Sequence, residues 1–182
     1  MIVTIHQPNF MPWLPFFEKM MAADIFVILE NCQFEKNNFQ NRFNYNDKWH
    51  TLRVHKGMDA IINKRYIDAK SDWKLIKKNL LKHENVLSLF DDDICDELSI
   101  CNTNIILKVA KLLNIKTKIV TDYPTDLRGT DRLVDICLKN NATTYLSGTS
   151  GAKYLDMEKF TNSGISVIFQ QNSTKKPILD IL

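Results

Sequence analysis

Three polar loops in the 182-residue sequence combine side chains that can bind a ligand or move a proton. The first contains His6, Gln7 and Asn9, directly after an apolar run. Imidazole titrates near neutral pH, so His6 is a candidate general base. Gln7 is a candidate catalytic partner and Asn9 a substrate-binding residue, because amides orient carbonyls, hydroxyls or phosphates. The structural alternative is that these groups cap the next helix and satisfy buried backbone.

The second loop begins at Glu30 and runs through Gln33 and Lys36 to Asn41 and Arg42. Gln33 is a candidate catalytic residue that would hold a developing oxyanion, and the other four are candidates for substrate binding. Lys36 and Arg42 supply positive charge for a phosphate or carboxylate, and a guanidinium can bind either in a bidentate manner. The alternative is the solvated face of a hairpin.

The third loop contains Ser147, Gly148 and Thr149, ahead of a helix. Glycine lets a ligand approach the backbone closely, while hydroxyls and amides suit an anion. The loop lacks the spacing of a P-loop, of a dinucleotide-binding GxGxxG and of a GxSxG elbow. A strand-to-helix turn without a ligand therefore stays open.

The elements that would position these loops alternate between strands and helices. Met1–Ile5 and Ile25–Leu29 are short apolar runs typical of buried strands, and between them apolar residues recur at helical spacing from Pro12 onward. KTKIVT, TTYLSG and GISVIF predict further strands. We expect an α/β fold with a mainly parallel, Rossmann-like sheet, helices on both faces and a small β-hairpin insertion. The polar loops would then lie at carboxyl ends of strands, where open parallel sheets bind ligands.

Two local predictions concern the middle of the chain. The aromatic, amide-rich section around residues 34–56 predicts a hairpin that turns near Asn46 and Asp47. Ser71 or Asp72 is predicted to cap the next helix. The acidic run Asp91–Asp93 fits the start of a helix better than a metal site, because neighbouring carboxylates point in different directions.

Length and composition narrow the class of protein. We expect one domain over residues 1–182, and the net charge of +3 is dispersed, which argues against nucleic-acid binding. The four cysteines are widely spaced, so reduced thiols are expected and no structural metal is predicted. With no membrane span or leader pattern, a cytoplasmic protein is expected. The sequence indicates neither a cofactor nor an oligomeric state.

Two long segments resemble the WbqC-like family. IHQPNFMPWLPFFEKMMAADIFVILENCQFEKNNFQNR is similar to the opening of that family, and RLVDICLKNNATTYLSGTSGAKYLD followed by GISVIF is similar to its C-terminal half. The resemblance adds Trp13, Tyr145 and Tyr154 to the substrate-binding candidates. The sequence departs from the family at Pro15-Phe16, where Gly-Tyr is usual, and in a C-terminal tail that looks shortened.

The resemblance implies a role in assembling bacterial surface polysaccharide, or O-antigen. The hypothesis is a transferase that moves an acyl or aminoacyl group, for example glycyl, to an amino sugar or sugar nucleotide. The donor would be a coenzyme A thioester, a carrier-protein thioester or an aminoacyl donor. Two alternatives stay open: a nucleotidyl-transferring or adenylating enzyme of HxGH-like layout, and a non-catalytic sugar-binding subunit.

Overall fold

The computed structural model describes residues 1–171 and 176–182 and divides into two compact units. The first unit comprises Met1–His6, Pro15–Leu29 and Ile115–Thr174, and the second comprises Gln7–Leu14, Glu30–Asn114 and Lys175–Leu182. Each unit is therefore assembled from segments that are distant in sequence. The expected single domain stays a prediction.

The first unit contains a five-stranded parallel sheet in the order β5-β2-β1-β6-β7. Its strands are β1 (Ile2–His6), β2 (Ile25–Ile28), β5 (Lys118–Thr121), β6 (Thr144–Ser147) and β7 (Ser166–Phe169). Its helices are α1 (Leu14–Met21), α5 (Gly129–Lys139) and α6 (Met157–Asn162). The predicted α/β fold with a mainly parallel sheet is confirmed.

Helices cover both faces of this sheet. Successive side chains of a strand point to opposite sides, so each face has side chains that pack against a helix. On one face, Phe26 of β2 packs against Phe16 of α1 with ring centroids 5.1 Å apart. On the other, Tyr145 of β6 stacks on Phe160 of α6 with centroids 5.1 Å apart. That second face carries an apolar cluster formed by Val3, Ile5, Ile25, Val27, Val134, Ile136, Cys137, Ala142, Tyr145, Phe160 and Ile165.

The second unit combines a hairpin with helices. The hairpin pairs β3 (Arg42–Tyr45) with β4 (Lys48–Thr51), and the helices are α2 (Ala69–Asn79), α3 (Glu84–Ser88) and α4 (Leu98–Leu112). Short 3₁₀ helices occupy Ile61–Asn63, Leu81–His83, Asp91–Asp93 and Ile178–Asp180. The predicted turn at Asn46 and Asp47 is confirmed, with φ of 50° and 58°. Both residue types tolerate this left-handed conformation, which suits a two-residue hairpin.

Two predicted helix starts were wrong. Helix α2 begins earlier than expected, because Asp68 is its cap and accepts a hydrogen bond from the Ser71 amide at 3.0 Å. Asp72 lies inside the helix and binds Arg53 instead. Helix α1 begins at Leu14 rather than Pro12.

The four cysteines, all within the described part of the chain, form no disulfide: Cys32, Cys95, Cys101 and Cys137. Over residues 1–171 and 176–182, no helix combines the length and apolar character needed to cross a bilayer.

Candidate functional site

The first unit contains a topological switch point between β1 and β6. From β1 the chain builds β2 and then β5 on one side, and it later adds β6 and β7 on the other. The chain after β1 leads to α1 on one face of the sheet, and the chain after β6 leads to α6 on the other face. Open α/β sheets bind their ligands at the carboxyl ends of the strands at such a switch point.

His6 and Gly148 both lie at the carboxyl-end edge of the sheet, His6 as the last residue of β1 and Gly148 directly after the neighbouring strand β6. Thr4 and Leu146 are paired in the sheet register, and His6 and Gly148 each lie two residues further along the chain. The imidazole of His6 is partly exposed and contacts the Phe16 ring at a centroid distance of 4.8 Å. The candidate base is thus held by packing and remains within reach of solvent.

The loop after β6 is held from several directions. Ser147 is fully buried, its hydroxyl donates to the Gly148 carbonyl at 3.1 Å, and its own carbonyl accepts from the Gln170 amide at 2.8 Å. A 3₁₀ helix, Thr149–Lys153, follows at once. A β-carbon on Gly151 would lie 2.0 Å from the Ser147 hydroxyl oxygen, so any larger residue there requires the Ser147 side chain to move.

The backbone at Gly148 is accessible. A β-carbon placed on this residue would have no atom within 4 Å, and the next residue, Thr149, is exposed. Gly148 and Thr149 therefore present backbone and a hydroxyl to open space at the end of the strand next to β1. This arrangement can receive an oxygen-rich ligand such as a phosphate or a sugar.

The two tyrosines predicted from the family resemblance have different surroundings. Tyr145 is buried in the core against Phe160, and burial raises the pKa of its phenol well above the ordinary value. Tyr154 is 65% exposed at the end of the 3₁₀ helix. Of these two tyrosines, only Tyr154 is exposed enough to bind a solute directly. The side chain of Tyr145 packs in the core and holds β6 against α6.

The first unit also buries two charged arrangements that sequence reasoning missed. Lys19 of α1 is 3% exposed and donates to the Ile5 carbonyl at 3.0 Å, and burial lowers its pKa to about 7. Arg132 of α5 forms a buried ion pair with Asp122, which follows β5. The sequence signal that could have indicated the buried Lys19 is its position within the apolar run FFEKMM, at the helical spacing of residues that face the sheet.

In the second unit, Gln7 belongs to an amide network. Its side-chain oxygen accepts from Gln40 at 2.7 Å, and its amide nitrogen lies 3.4 Å from the Cys32 sulfur and 3.4 Å from a Glu35 carboxylate oxygen. Gln40 is fully buried and also accepts from the Glu35 amide at 2.8 Å. The orientation of the Gln7 amide is therefore defined by its neighbours.

A buried asparagine supports the same segment. Asn102 donates to the Pro8 carbonyl at 2.8 Å and to the Gln40 carbonyl at 2.7 Å, and it accepts from the Tyr66 hydroxyl at 2.8 Å. Asn9, the next residue, is buried. Because a buried carbonyl without a partner is costly, Asn102 stabilises this segment through groups that no local pattern reveals.

The remaining candidates of the second unit do not converge on one point. Glu30 accepts a hydrogen bond from Ser99, and the Asn41 amide donates to the Leu52 carbonyl at 2.8 Å. Gln33 and Lys36 are exposed. Glu30 and Asn41 are thus engaged in structural hydrogen bonds.

Trp13 and Arg42 lie at the two ends of an aromatic row. Trp13 contacts Phe39 at 5.1 Å, Phe39 contacts Trp49 at 5.4 Å, and the Arg42 guanidinium lies 4.0 Å from the centroid of the Trp49 ring. Arg42 also donates to the Asn37 carbonyl. This stacking and hydrogen bonding orient the guanidinium in the unit.

No group of three or more His, Cys, Asp or Glu side chains among residues 1–171 and 176–182 is arranged to hold a metal ion. The acidic run Asp91–Asp93 forms a 3₁₀ turn, in which Asp91 binds Lys77 and Asp93 binds Lys108. The carboxylates of Asp91 and Asp93 therefore form ion pairs with lysines.

Comparison with known proteins identifies the family. The sequence profile of the WbqC-like protein family matches residues 7–177. The chain belongs to the WbqC-like family. An uncharacterized protein of Mycobacterium tuberculosis, Rv1507c, is similar to it, with 27% identity over 184 residues that cover 91% of this chain and 80% of that protein. No solved structure gives a significant match.

Proposed function

We propose that this WbqC-like protein is a transferase that moves an acyl or aminoacyl group to the amino group of a sugar or sugar nucleotide. The observation that carries the proposal is that His6 ends β1 and Gly148 follows the neighbouring strand β6, at the switch point of the sheet. A partly exposed imidazole and open backbone at the ends of neighbouring strands are suited to supply a base and to receive an oxygen-rich substrate. The family resemblance supports surface-polysaccharide assembly as its setting.

The proposed reaction joins an amine to an activated acyl carbon. The sugar amine attacks the carbonyl carbon of a thioester, and a C–N bond forms as the C–S bond breaks. His6 takes the proton that the attacking nitrogen must lose and returns it to the departing thiolate, so that an amide and a free thiol result. An aminoacyl ester donor would react in the same way, with an alcohol as the leaving group.

Gly148 and Thr149 would bind the phosphate or hydroxyl oxygens of the acceptor. Backbone N–H groups and a hydroxyl suit a phosphate, and the open space above Gly148 gives it room. Coenzyme A or a carrier protein would supply the acyl thioester. Nucleotide sugars and thioesters are cytoplasmic metabolites, so the proposal places the protein in the cytoplasm. The catalytic roles of Gln7 and Gln33 stay predictions.

The test compares His6→Asn with His55→Asn, because both variants lose one imidazole and His55 is exposed in the second unit. Nucleotide-linked amino sugars should raise the melting temperature of both variants and of the wild type. With an acyl donor present, mass spectrometry should detect an acylated sugar. We expect His6→Asn to slow this reaction about 100-fold or more, and His55→Asn to leave the rate unchanged.

Two results would contradict the proposal. Stabilisation by ATP, with none by sugar nucleotides or thioesters, would favour the adenylating alternative. Binding of sugar nucleotides without turnover by any donor class, in the wild type as well as in both variants, would favour a sugar-binding subunit.

A further inference from the structure

A groove of about 810 Å³ lies on the second unit, alongside helix α2. The side chains of Trp73 and Ile94, which are 3% and 2% exposed, contribute to its floor. Leu75 and Leu81 contribute to its walls and are 57% and 66% exposed. The groove therefore presents leucine side chains to solvent, in a concave shape that another molecule can fill.

Three lysines form a row beside these leucines. Lys70, Lys74 and Lys78 line the groove at intervals of four residues, so they share one side of α2 and span about 12 Å along its axis. All three are exposed. Among the residues that the structure describes, none of the three has an ion-pair partner.

The other charges of the groove leave this row uncompensated. Lys77 is neutralised by Asp91, whose carboxylate lies 2.7 Å from its ammonium nitrogen. Glu84 is the remaining acidic residue of the lining, and it begins helix α3. The row of three lysines thus faces a single unpaired carboxylate, and the groove has an excess of positive charge.

We propose that this groove docks an acidic amphipathic helix of a partner protein. Apolar residues of such a helix, at intervals of three and four, would contact Leu75 and Leu81. Its Glu or Asp residues at intervals of four would match the lysine row, because both helices rise by the same distance per residue. A single small anion is a poorer match, since the lysines are spread along an axis and do not converge on one point.

The proposal goes beyond the proposed transferase function and uses none of its residues. His6, Gly148 and Thr149 belong to the first unit, whereas the whole groove belongs to the second. Loss of docking and loss of turnover are therefore separate results. A failure of either proposal leaves the other to be judged by its own measurement.

The test uses a fluorescein-labelled synthetic helix with leucines along one face and glutamates at intervals of four beside them. Fluorescence anisotropy with the full chain should show saturable binding that weakens as salt rises. A peptide with lysines in place of the glutamates should not bind. Replacing the leucines by serine should also abolish binding, because the groove recognises both features.

Charge-reversed variants locate the site. The triple variant Lys70→Glu, Lys74→Glu and Lys78→Glu should weaken binding at least tenfold. A control triple variant makes the same change in net charge at other exposed lysines, namely Lys56, Lys111 and Lys116, and should keep most of the affinity. Leu75→Ser should weaken binding without changing its salt dependence.

Three results would overturn the proposal. One is the absence of saturable binding by the acidic helix. Another is an equal loss of binding in the control triple variant, which would show attraction to net charge alone. The third is sedimentation of the protein with vesicles of anionic lipid, dependent on Lys70, Lys74 and Lys78, without binding of the peptide. That result would assign the groove to a membrane surface.

Discussion

Each unit accommodates a buried lysine, and the two lysines differ in their surroundings. Lys19 of the first unit donates to one backbone carbonyl, that of Ile5 at 3.0 Å, and its pKa is lowered to about 7 by burial. Lys64 of the second unit is 1% exposed, but it lies 2.8 Å from an Asp59 carboxylate oxygen and 2.9 Å from the Gly57 carbonyl. A buried lysine can thus have a lowered pKa, as Lys19 does, or form an ion pair with a carboxylate, as Lys64 does.

The difference follows from how each unit satisfies its polar groups. In the parallel sheet, neighbouring strands already pair the backbone, so Lys19 meets apolar surfaces and a single carbonyl. The second unit has long irregular segments, and side chains such as Asn102 and Gln40 complete their hydrogen bonds. Lys64 is one of these bridging side chains. Irregular backbone requires such partners, because buried polar groups are costly when unpaired.

The largest expected effect is the dependence of stability on pH that Lys19 confers. In the folded state its pKa is about 7, against an ordinary value of 10.5, so the unfolded chain binds more protons between these values. Stability should therefore rise with pH over this range, by about 3 kcal/mol between pH 7 and 9.5. Urea unfolding of wild type and Lys19→Met at several pH values measures this rise. The variant should lack it, and an equal rise in both proteins would contradict the assignment.

The matched change in the second unit is Lys64→Met, which removes an ion pair and hydrogen bonds. It removes hydrogen bonds to Gly57 and Asp59 and should cost about 2 kcal/mol. Asp59 is 44% exposed on its side chain, so water can solvate the carboxylate that is left behind. The same urea series tests this. A Lys64→Met variant as stable as the wild type at pH 7 would contradict the stabilising role of these contacts.

A smaller effect is expected from Gly151→Ala in the loop after β6. The new methyl group would overlap the Ser147 hydroxyl, and the strain should lower the free energy of unfolding by about 1–2 kcal/mol. Ser147→Gly in the same chain should restore part of this loss, because it removes the overlapping atoms. Gly148→Ala is the control, since its methyl group meets no atom within 4 Å. A similar loss in Gly148→Ala would show that overlap with Ser147 is not the cause.

Local patterns predicted most of the parallel sheet and the hairpin turn. The apolar run Ile25–Ile28 is short and fully buried. A short continuous apolar run predicts a central strand of a parallel sheet, which is covered on both faces. Helix starts were harder to predict. Ser71 and Asp72 both looked like suitable caps, but Asp72 is engaged by Arg53 nineteen residues away and Asp68 caps the helix instead.

The candidate site likewise combines residues whose positions were predictable from the sequence with residues whose positions were not. The position of His6 at the end of β1 followed from the sequence, because a strand end is a local feature. That Gly148 follows the strand next to β1 was decided only by the strand order. The roles of Gln40 and Asn102 had no local signal, since their partners Gln7 and Pro8 are 33 and 94 residues away in the chain.

The sequence by itself determined the family, the α/β class and the polar composition of the loops, because motif order and hydrophobic period are local properties. The tertiary structure decided which loops meet. It placed β6 next to β1, put Tyr145 in the core, paired Lys64 with Asp59 and left Lys70, Lys74 and Lys78 in a row beside exposed leucines. These outcomes depend on strand order and on contacts between distant segments, where the free energy of burial selects the partners.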